Sequence, residues 1–213
     1  MADRWIQTAA GGALLSGLIL LAALAVGLYS QLEESVEFLM LLAMVPLFPA
    51  GIAVHRLLGP YRPRASRWLR FIGLLGTSVL LVSPVVALLL AVLNRTATAL
   101  GPILMGLMGL AGVWQVGIAW LGWRTKQFPA GLVLAALLSG GSWVIIISST
   151  LAQMGGLTWT GGLSSFLGLN VLVWGVSHLV FTLGLAWFLW RHRWPVEPGR
   201  VDVDALQGGV EWS

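Results

Sequence analysis

The sequence predicts an all-α, polytopic integral membrane protein whose six transmembrane helices form one bundle with both termini in the cytoplasm. Three observations predict this class. The 213 residues are 58% hydrophobic and 9% charged, with a mean hydropathy of +0.89, which is far from the composition of soluble domains. Six long apolar stretches contain no Asp, Glu, Lys or Arg. Basic residues gather in alternate connections between the stretches.

Each predicted span is long enough to cross a membrane as a helix. A helix needs about 20 residues to cross a hydrocarbon core of roughly 30 Å. The predicted spans cover residues 9–29, 36–58, 71–93, 99–123, 128–151 and 163–190. The second reaches this length only with Glu37, His55 and Arg56, whose polar groups are expected at the headgroup levels. Residues 191–213 form a cytoplasmic tail that is expected to be loosely ordered without a partner.

Prolines mark the helix ends and bends. Pro102 and Pro129 stand in the first turns of spans four and five, where a missing amide hydrogen is tolerated. Pro46 and Pro49 lie within span two and Pro84 within span three, so both spans are expected to bend.

Small residues predict how the spans pack. Lipid gives helices no hydrophobic reason to associate, so close approach at small side chains takes its place. Pairs at four-residue spacing include Gly12 with Ser16 on span one and Ala136 with Gly140 on span five. They predict ordinary bundle packing, the alternatives being a conduction path or an oligomer face.

The basic residues predict the orientation. With a cytoplasmic amino terminus, eleven of the twelve basic residues fall on the cytoplasmic side: Arg4, Arg56, Arg62, Arg64, Arg67, Arg70, Arg124, Lys126, Arg191, Arg193 and Arg200. The other side holds Arg95 and an acidic cluster of Glu33, Glu34 and Glu37. Topology thus accounts for the basic charge, and no nucleic-acid partner is expected. Arginine in place of lysine is typical of a prokaryote with GC-rich codons, which predicts a prokaryotic cytoplasmic (inner) membrane.

The connection from Gly59 to Arg70 is dense in arginine. Arg62, Arg64, Arg67 and Arg70 are expected to lie in a loop on the inner leaflet, where they would dock anionic headgroups or a partner subunit. The alternative is that they only set the topology.

His178 is the ionisable residue deepest in any span. Asn170, Trp174, His178 and Thr182 follow at four-residue steps, so they form a polar ladder on one face of span six, which should turn inward. The ladder could hold a haem or chlorophyll through His178 or line a solute path. The alternative is a neutral histidine hydrogen-bonded to a neighbouring helix.

Two catalytic or cofactor arrangements involve this histidine. His55 could be a second haem ligand, but it is predicted about 13 Å from His178 in depth, which disfavours the pair. Ser139-Gly140-Gly141-Ser142 with His178 on the last span resembles the serine and histidine of rhomboid proteases. This chain departs from that family because its two helices are consecutive and the Gly-Ala-Ser-Gly-type motif is absent.

The tryptophans fall into two groups by their predicted depth in the membrane. Most of the twelve fall near span ends, as in an aromatic belt at the membrane interface. Four are predicted deeper than the belt: Trp114, Trp143, Trp174 and Trp187.

Most other kinds of chemistry are excluded by residue types that are absent from the chain or from its spans. The chain has no cysteine, its one lysine is Lys126 in a connection, and no carboxylate lies deep in a span. These features exclude thiolate metal sites, a retinal Schiff base in the bilayer and a carboxylate proton relay. No catalytic residue, no metal site and no enzymatic activity are predicted.

The sequence therefore favours a non-catalytic integral membrane subunit that packs within or stabilises a larger membrane complex. Its expected partners are lipid, including anionic headgroups, and other membrane subunits. Two alternatives stay open. One is a small permease or channel for a neutral or apolar solute. The other is a haem, chlorophyll or quinone binder that uses His178, although no cofactor is required by the sequence.

Overall fold

The computed structural model describes residues 2–29, 42–92, 100–157 and 162–191. Within these ranges there are no strands, and the α-helices with described bounds are α1 Ala2–Tyr29, α2 Leu47–Leu58, α3 Pro63–Val92, α4 Leu100–Arg124, α5 Ala130–Met154 and α6 Gly162–Arg191. The all-α class is confirmed for this part of the chain. The acidic cluster at Glu33, Glu34 and Glu37, Arg95 and the tail beyond residue 191 lie outside the described residues.

Within the described ranges, four helical segments are long and apolar enough to cross a membrane. They are Arg4–Val26, Pro102–Arg124, Ala130–Met154 and Gly168–Arg191. The segment Leu42–Leu58 is apolar but shorter. Length and composition thus indicate a membrane-embedded protein.

Two predicted boundaries differ from the structure. Helix α3 begins at Pro63, so Arg64, Arg67 and Arg70 lie on a helix and their predicted placement in a loop is wrong. Proline suits this first helical position because its φ is already fixed and its missing N–H would have no partner there. In span two, a turn at Val45 and Pro46 interrupts the helix before α2, where the sequence predicted a bend.

Consecutive helices are antiparallel neighbours, and α6 returns to pack against α1. Close pairs fix the order around this ring: Gly12 with Pro46, His55 with Ser66, Gly76 with Ala111, Gly112 with Gly140, Leu132 with Gly184, and Gly17 with Leu183. Helix α2 also reaches α4 and α6. Each helix therefore has two antiparallel neighbours.

Glycine permits the closest of these contacts. A Cβ at Gly112 would lie 2.7 Å from the Gly140 carbonyl oxygen, and a Cβ at Gly140 would lie 2.6 Å from that of Gly112. Both distances are too short for any side chain, so the backbones of α4 and α5 touch. On α1, Gly12 lies against the Pro46 carbonyl, and Gly17 makes room for the side chains of Leu183 and Thr182. Packing within the bundle, as predicted, is confirmed for these small residues.

The same cap ends α4 and α5. After α5, the amides of Gly156 and Leu157 bond to the carbonyls of Gln153 and Ala152, with Gly156 at a φ of 90°. This is a Schellman motif, which needs a left-handed residue and usually takes glycine. The turn after α4 repeats the pattern with Lys126 at a φ of 55°.

Candidate functional site

Two buried polar clusters each include one of two consecutive residues in the middle of α4, Trp114 and Gln115. Trp114 bonds to the histidine of α2, and Gln115 contacts the histidine of α6. Neighbouring residues on a helix point about 100° apart, so the two clusters lie on different faces of α4. We call them the His55 cluster and the His178 cluster.

The His178 cluster joins three helices. The imidazole Nδ1 lies 2.8 Å from Ser139 Oγ on α5 and 3.2 Å from Gln115 Nε2 on α4. Ser139 Oγ also donates to Gln115 Oε1 at 2.9 Å. Ser139 and His178 are both fully buried, and Gln115 is 2% exposed.

These distances favour one tautomer of His178. The hydroxyl of Ser139 donates to Gln115 Oε1, so its oxygen accepts a proton from Nδ1 across the shortest contact of the cluster. The amide Nε2 of Gln115 is itself a donor, so with this tautomer it contacts Nδ1 without a hydrogen bond. The opposite ring nitrogen, Nε2, is then a bare lone pair, and it is buried without a hydrogen-bond partner among the described residues. The other tautomer would leave a buried N–H donor unpaired at Nε2, which is rarer in folded proteins.

Aromatic rings enclose the same imidazole. Trp174 stacks on His178 with ring centroids 5.4 Å apart and planes at 25°. Phe181 lies 6.2 Å away by centroids, and Trp143 packs 5.1 Å from Trp174. Water and substrate are thus excluded from the ring in this conformation.

The remaining ladder residues are also buried and bonded to backbone. Asn170 Nδ2 donates to the Ser142 carbonyl on α5 at 2.9 Å. Thr182 Oγ1 donates to the carbonyl of Leu179 in its own helix at 3.0 Å. Asn170 is 7% exposed and Thr182 is fully buried. The ladder of α6 is therefore a seam of interhelix contacts on one side and of aromatic packing on the other.

The His55 cluster satisfies both nitrogens of its imidazole. Trp114 Nε1–H donates to His55 Nε2 at 2.8 Å, so Nε2 is an acceptor and the proton sits on Nδ1. Nδ1 lies 3.3 Å from Ser66 Oγ, which donates to the His55 carbonyl at 3.2 Å. His55 is 6% exposed. It has no free nitrogen for iron, which argues against the two-histidine haem.

A small cavity adjoins this cluster. It measures about 20 Å³ and is lined by His55, Arg70, Gly73 and Trp114, among others. That volume holds about one water molecule. Arg70 itself is exposed, at the edge of the bundle.

The basic residues of the described ranges all lie at one end of the bundle. The ends of α2, α4 and α6 meet the starts of α1, α3 and α5 there, because neighbours are antiparallel. Arg62, Arg64, Arg67 and Arg70 are exposed at this end. Three more arginines sit over tryptophan rings, at 5.5 Å for Arg56 on Trp5, 5.9 Å for Arg124 on Trp120 and 4.1 Å for Arg191 on Trp187.

The exposed tryptophans lie at the same end of the bundle as the arginines. Trp68, Trp120, Trp123, Trp187 and Trp190 are exposed at the basic end. Trp187, predicted to be deep, is 60% exposed and belongs with them, because it lies one turn from Arg191. An exposed band of tryptophan beside arginine is typical of a membrane interface.

Trp114, Trp143 and Trp174 pack inward. Trp143 Nε1 donates to the Met108 carbonyl at 3.0 Å and Trp114 to His55, whereas the indole N–H of Trp174 finds no acceptor in the described part of the chain. Two of the three therefore join helices by hydrogen bonds.

Sequence reasoning missed Gln115, Trp114 and Ser66 as partners of the histidines. Gln115 carried a signal, because a glutamine deep in an apolar span usually faces the bundle interior. No sequence signal pairs Ser139, rather than Ser142, with His178. In the ranges that the structure describes, no three His, Cys, Asp or Glu residues come together as a metal site.

Comparisons with protein-family models, with curated proteins and with solved structures find no match to this chain.

Proposed function

We propose that this chain is a non-catalytic subunit of a prokaryotic inner-membrane complex, with six spans and both termini cytoplasmic. The observation that carries the proposal is the use of the buried polar groups. Asn170, Gln115, Ser139, His55 and the Nδ1 of His178 all bond to another helix. Groups consumed in this way hold a bundle together and leave little to act on a solute.

The proposed orientation is supported by charge. All basic residues within the described ranges are at one end, and the antiparallel order brings both the start of α1 and the end of α6 to that end. Under the positive-inside rule this end faces the cytoplasm.

A partner is favoured by glycines on the outside of the bundle. Gly106 on α4 and Gly168 on α6 are exposed, and a Cβ at either position would meet nothing within 4 Å. Exposed small residues allow a helix of another subunit to approach closely. Gly12, Gly17, Gly112 and Gly140 are, in contrast, already used between helices of this chain.

Hydrolysis and transport are less well supported. Ser139 and His178 resemble a catalytic pair in distance, but both are fully buried and Ser139 already donates to Gln115. A nucleophile must reach its substrate. A permease would need a path along Asn170 and Thr182, whose side chains instead bond to backbone carbonyls.

One observation favours a second candidate function, a cofactor held by His178. Metal-binding histidines are typically anchored at one nitrogen by a hydrogen bond and use the other nitrogen as ligand. His178 has this arrangement, with Nδ1 anchored on Ser139 and Nε2 free. A haem or chlorophyll would have to displace the rings of Trp174 or Phe181.

Purification from native membrane in mild detergent tests both the subunit hypothesis and the cofactor hypothesis. We expect a colourless protein with a companion subunit in fixed stoichiometry. Gly106→Leu and Gly168→Leu should each weaken retention of that companion. Ile103→Leu, on the same helix as Gly106 and 59% exposed, is the matched control and should not.

Two results would decide against the subunit. One is a stable protein that purifies alone, with the leucine variants indistinguishable from wild type. The other is a visible absorption band that disappears in His178→Ala, which would establish the cofactor hypothesis instead.

A further inference from the structure

An open groove runs along the outside of α5 and α6 toward the basic end of the bundle. It has a volume of about 410 Å³ and extends along α6 from Val180 to Arg191, a rise of roughly 16 Å. That volume is within the range of small-molecule sites, roughly 300–1,000 Å³. The groove is separate from both histidine clusters.

Two missing side chains create the groove. Gly131 on α5 and Gly184 on α6 both line it. A Cβ at Gly131 would meet nothing within 4 Å, and one at Gly184 would meet only Leu132, at 3.3 Å. The remaining lining is apolar except at one end. Such a channel fits a flexible hydrocarbon chain.

The polar end of the groove is cationic. Arg191 and Trp187 line it, the guanidinium lies 4.1 Å from the ring centroid, and both side chains are exposed. The described ranges hold Lys or Arg at nine positions and an acid only at Asp3. The counter-charge for this end must therefore come largely from outside these ranges.

From this complementarity we propose that the groove binds one anionic phospholipid of the cytoplasmic leaflet. The phosphate headgroup pairs with Arg191, and an acyl chain lies on Gly131 and Gly184. The tryptophan at headgroup level fixes the depth of the lipid. The site differs from the predicted docking arginines Arg62, Arg64, Arg67 and Arg70, which are exposed just before and along the first turns of α3 and do not line this groove.

Native mass spectrometry of the full-length, delipidated protein tests the proposal. Phosphatidylglycerol and phosphatidylcholine with identical acyl chains are titrated separately, and the first bound lipid is measured. We expect tighter binding of phosphatidylglycerol. Arg191→Gln should weaken it about fivefold, the equivalent of about 1 kcal/mol for one basic residue at a membrane surface. It should weaken phosphatidylcholine less, because the choline cation already offsets the charge of its phosphate.

Matched variants distinguish binding in the groove from general effects of a larger side chain or a lost charge. Gly131→Leu should weaken the first binding step of both lipids, because its side chain enters the groove. Gly141→Leu, on the same helix and equally free of contacts, should not. Arg67→Gln makes the same change of charge away from the groove and should have no effect on this step. Excess inorganic phosphate should not displace the lipid, because it lacks the acyl chain.

Three results would overturn the site. They are equal affinity for the two lipids, equal effects of Arg191→Gln and Arg67→Gln, and equal effects of Gly131→Leu and Gly141→Leu. A photoreactive residue at position 131 gives an independent measurement in membranes. We expect it to crosslink to phospholipid. Crosslinking to protein would show that a partner or the tail of this chain fills the groove instead.

Discussion

Replacing Trp114 by Phe removes one hydrogen bond at the junction of α2, α3 and α4. The indole N–H donates to His55 Nε2 at 2.8 Å, and the indole lies against Gly73 and Gly51. Phenylalanine keeps an aromatic ring between these glycines but leaves Nε2 as a buried acceptor without a partner. The variant therefore tests the bond more than the packing.

The expected loss of stability can be estimated because the bond is buried between helices. Polar contacts between membrane helices contribute about 0.6 kcal/mol on average and up to about 1.7. An orphaned buried acceptor costs about 1–3 kcal/mol in soluble proteins. The bond is short, and Nε2 of His55 has no other partner to replace it, so we expect Trp114→Phe to lower the free energy of unfolding by about 1–2 kcal/mol.

A double-mutant cycle isolates this bond. Unfolding by sodium dodecyl sulfate in mixed micelles is measured for Trp114→Phe, His55→Leu and the double variant. The coupling energy should be at least about 0.6 kcal/mol. Trp123→Phe is the control, because Trp123 is on the same helix and 65% exposed, and it should change stability little. Additivity of the two variants within about 0.3 kcal/mol would refute the bond.

Three further changes test the packing, the cap and the ladder by the same unfolding assay. Gly140→Val should destabilise the bundle by about 1–3 kcal/mol because its side chain would strike the Gly112 carbonyl, whereas Gly141→Val should be close to neutral. Lys126→Gly should raise stability by about 1 kcal/mol, because it relieves a left-handed conformation at the end of α4, and an unchanged or lowered stability would contradict the assigned cap. Asn170→Leu should cost about 0.6–1.7 kcal/mol by removing a bond to a backbone carbonyl of α5, and no loss would show that the bond is absent in the membrane.

Hydropathy and charge predicted the class of the fold because they depend on the bilayer and not on detailed packing. Uncharged stretches of about 20 residues have few stable alternatives to a membrane helix. Boundaries were less predictable where a helix extends beyond its apolar sequence. Helix α3 begins at Pro63, well before the apolar run that starts at Phe71, because helical hydrogen bonds do not require an apolar sequence.

The candidate site was only half predictable, for a geometric reason. The spacing of Asn170, Trp174, His178 and Thr182 follows from helix periodicity, so one sequence was enough to group them. The partners of His178 come from two other helices, and their register depends on where α4 and α5 touch. The contact of Gly112 with Gly140 helps to bring Gln115 and Ser139 to the same level.

The two histidine clusters together define the rotation of α4. Trp114 and Gln115 are consecutive. Trp114 bonds to His55 on one side of the helix, and Gln115 accepts from Ser139 beside His178 on another. Turning α4 by one residue, about 100°, would break both sets of bonds at once and leave buried polar groups unpaired. Apolar side chains in lipid distinguish such rotations weakly, because exchanging one apolar face for another changes little. The buried histidines, glutamine and serines thus supply specificity of packing within the bundle, as the proposed role of a subunit requires.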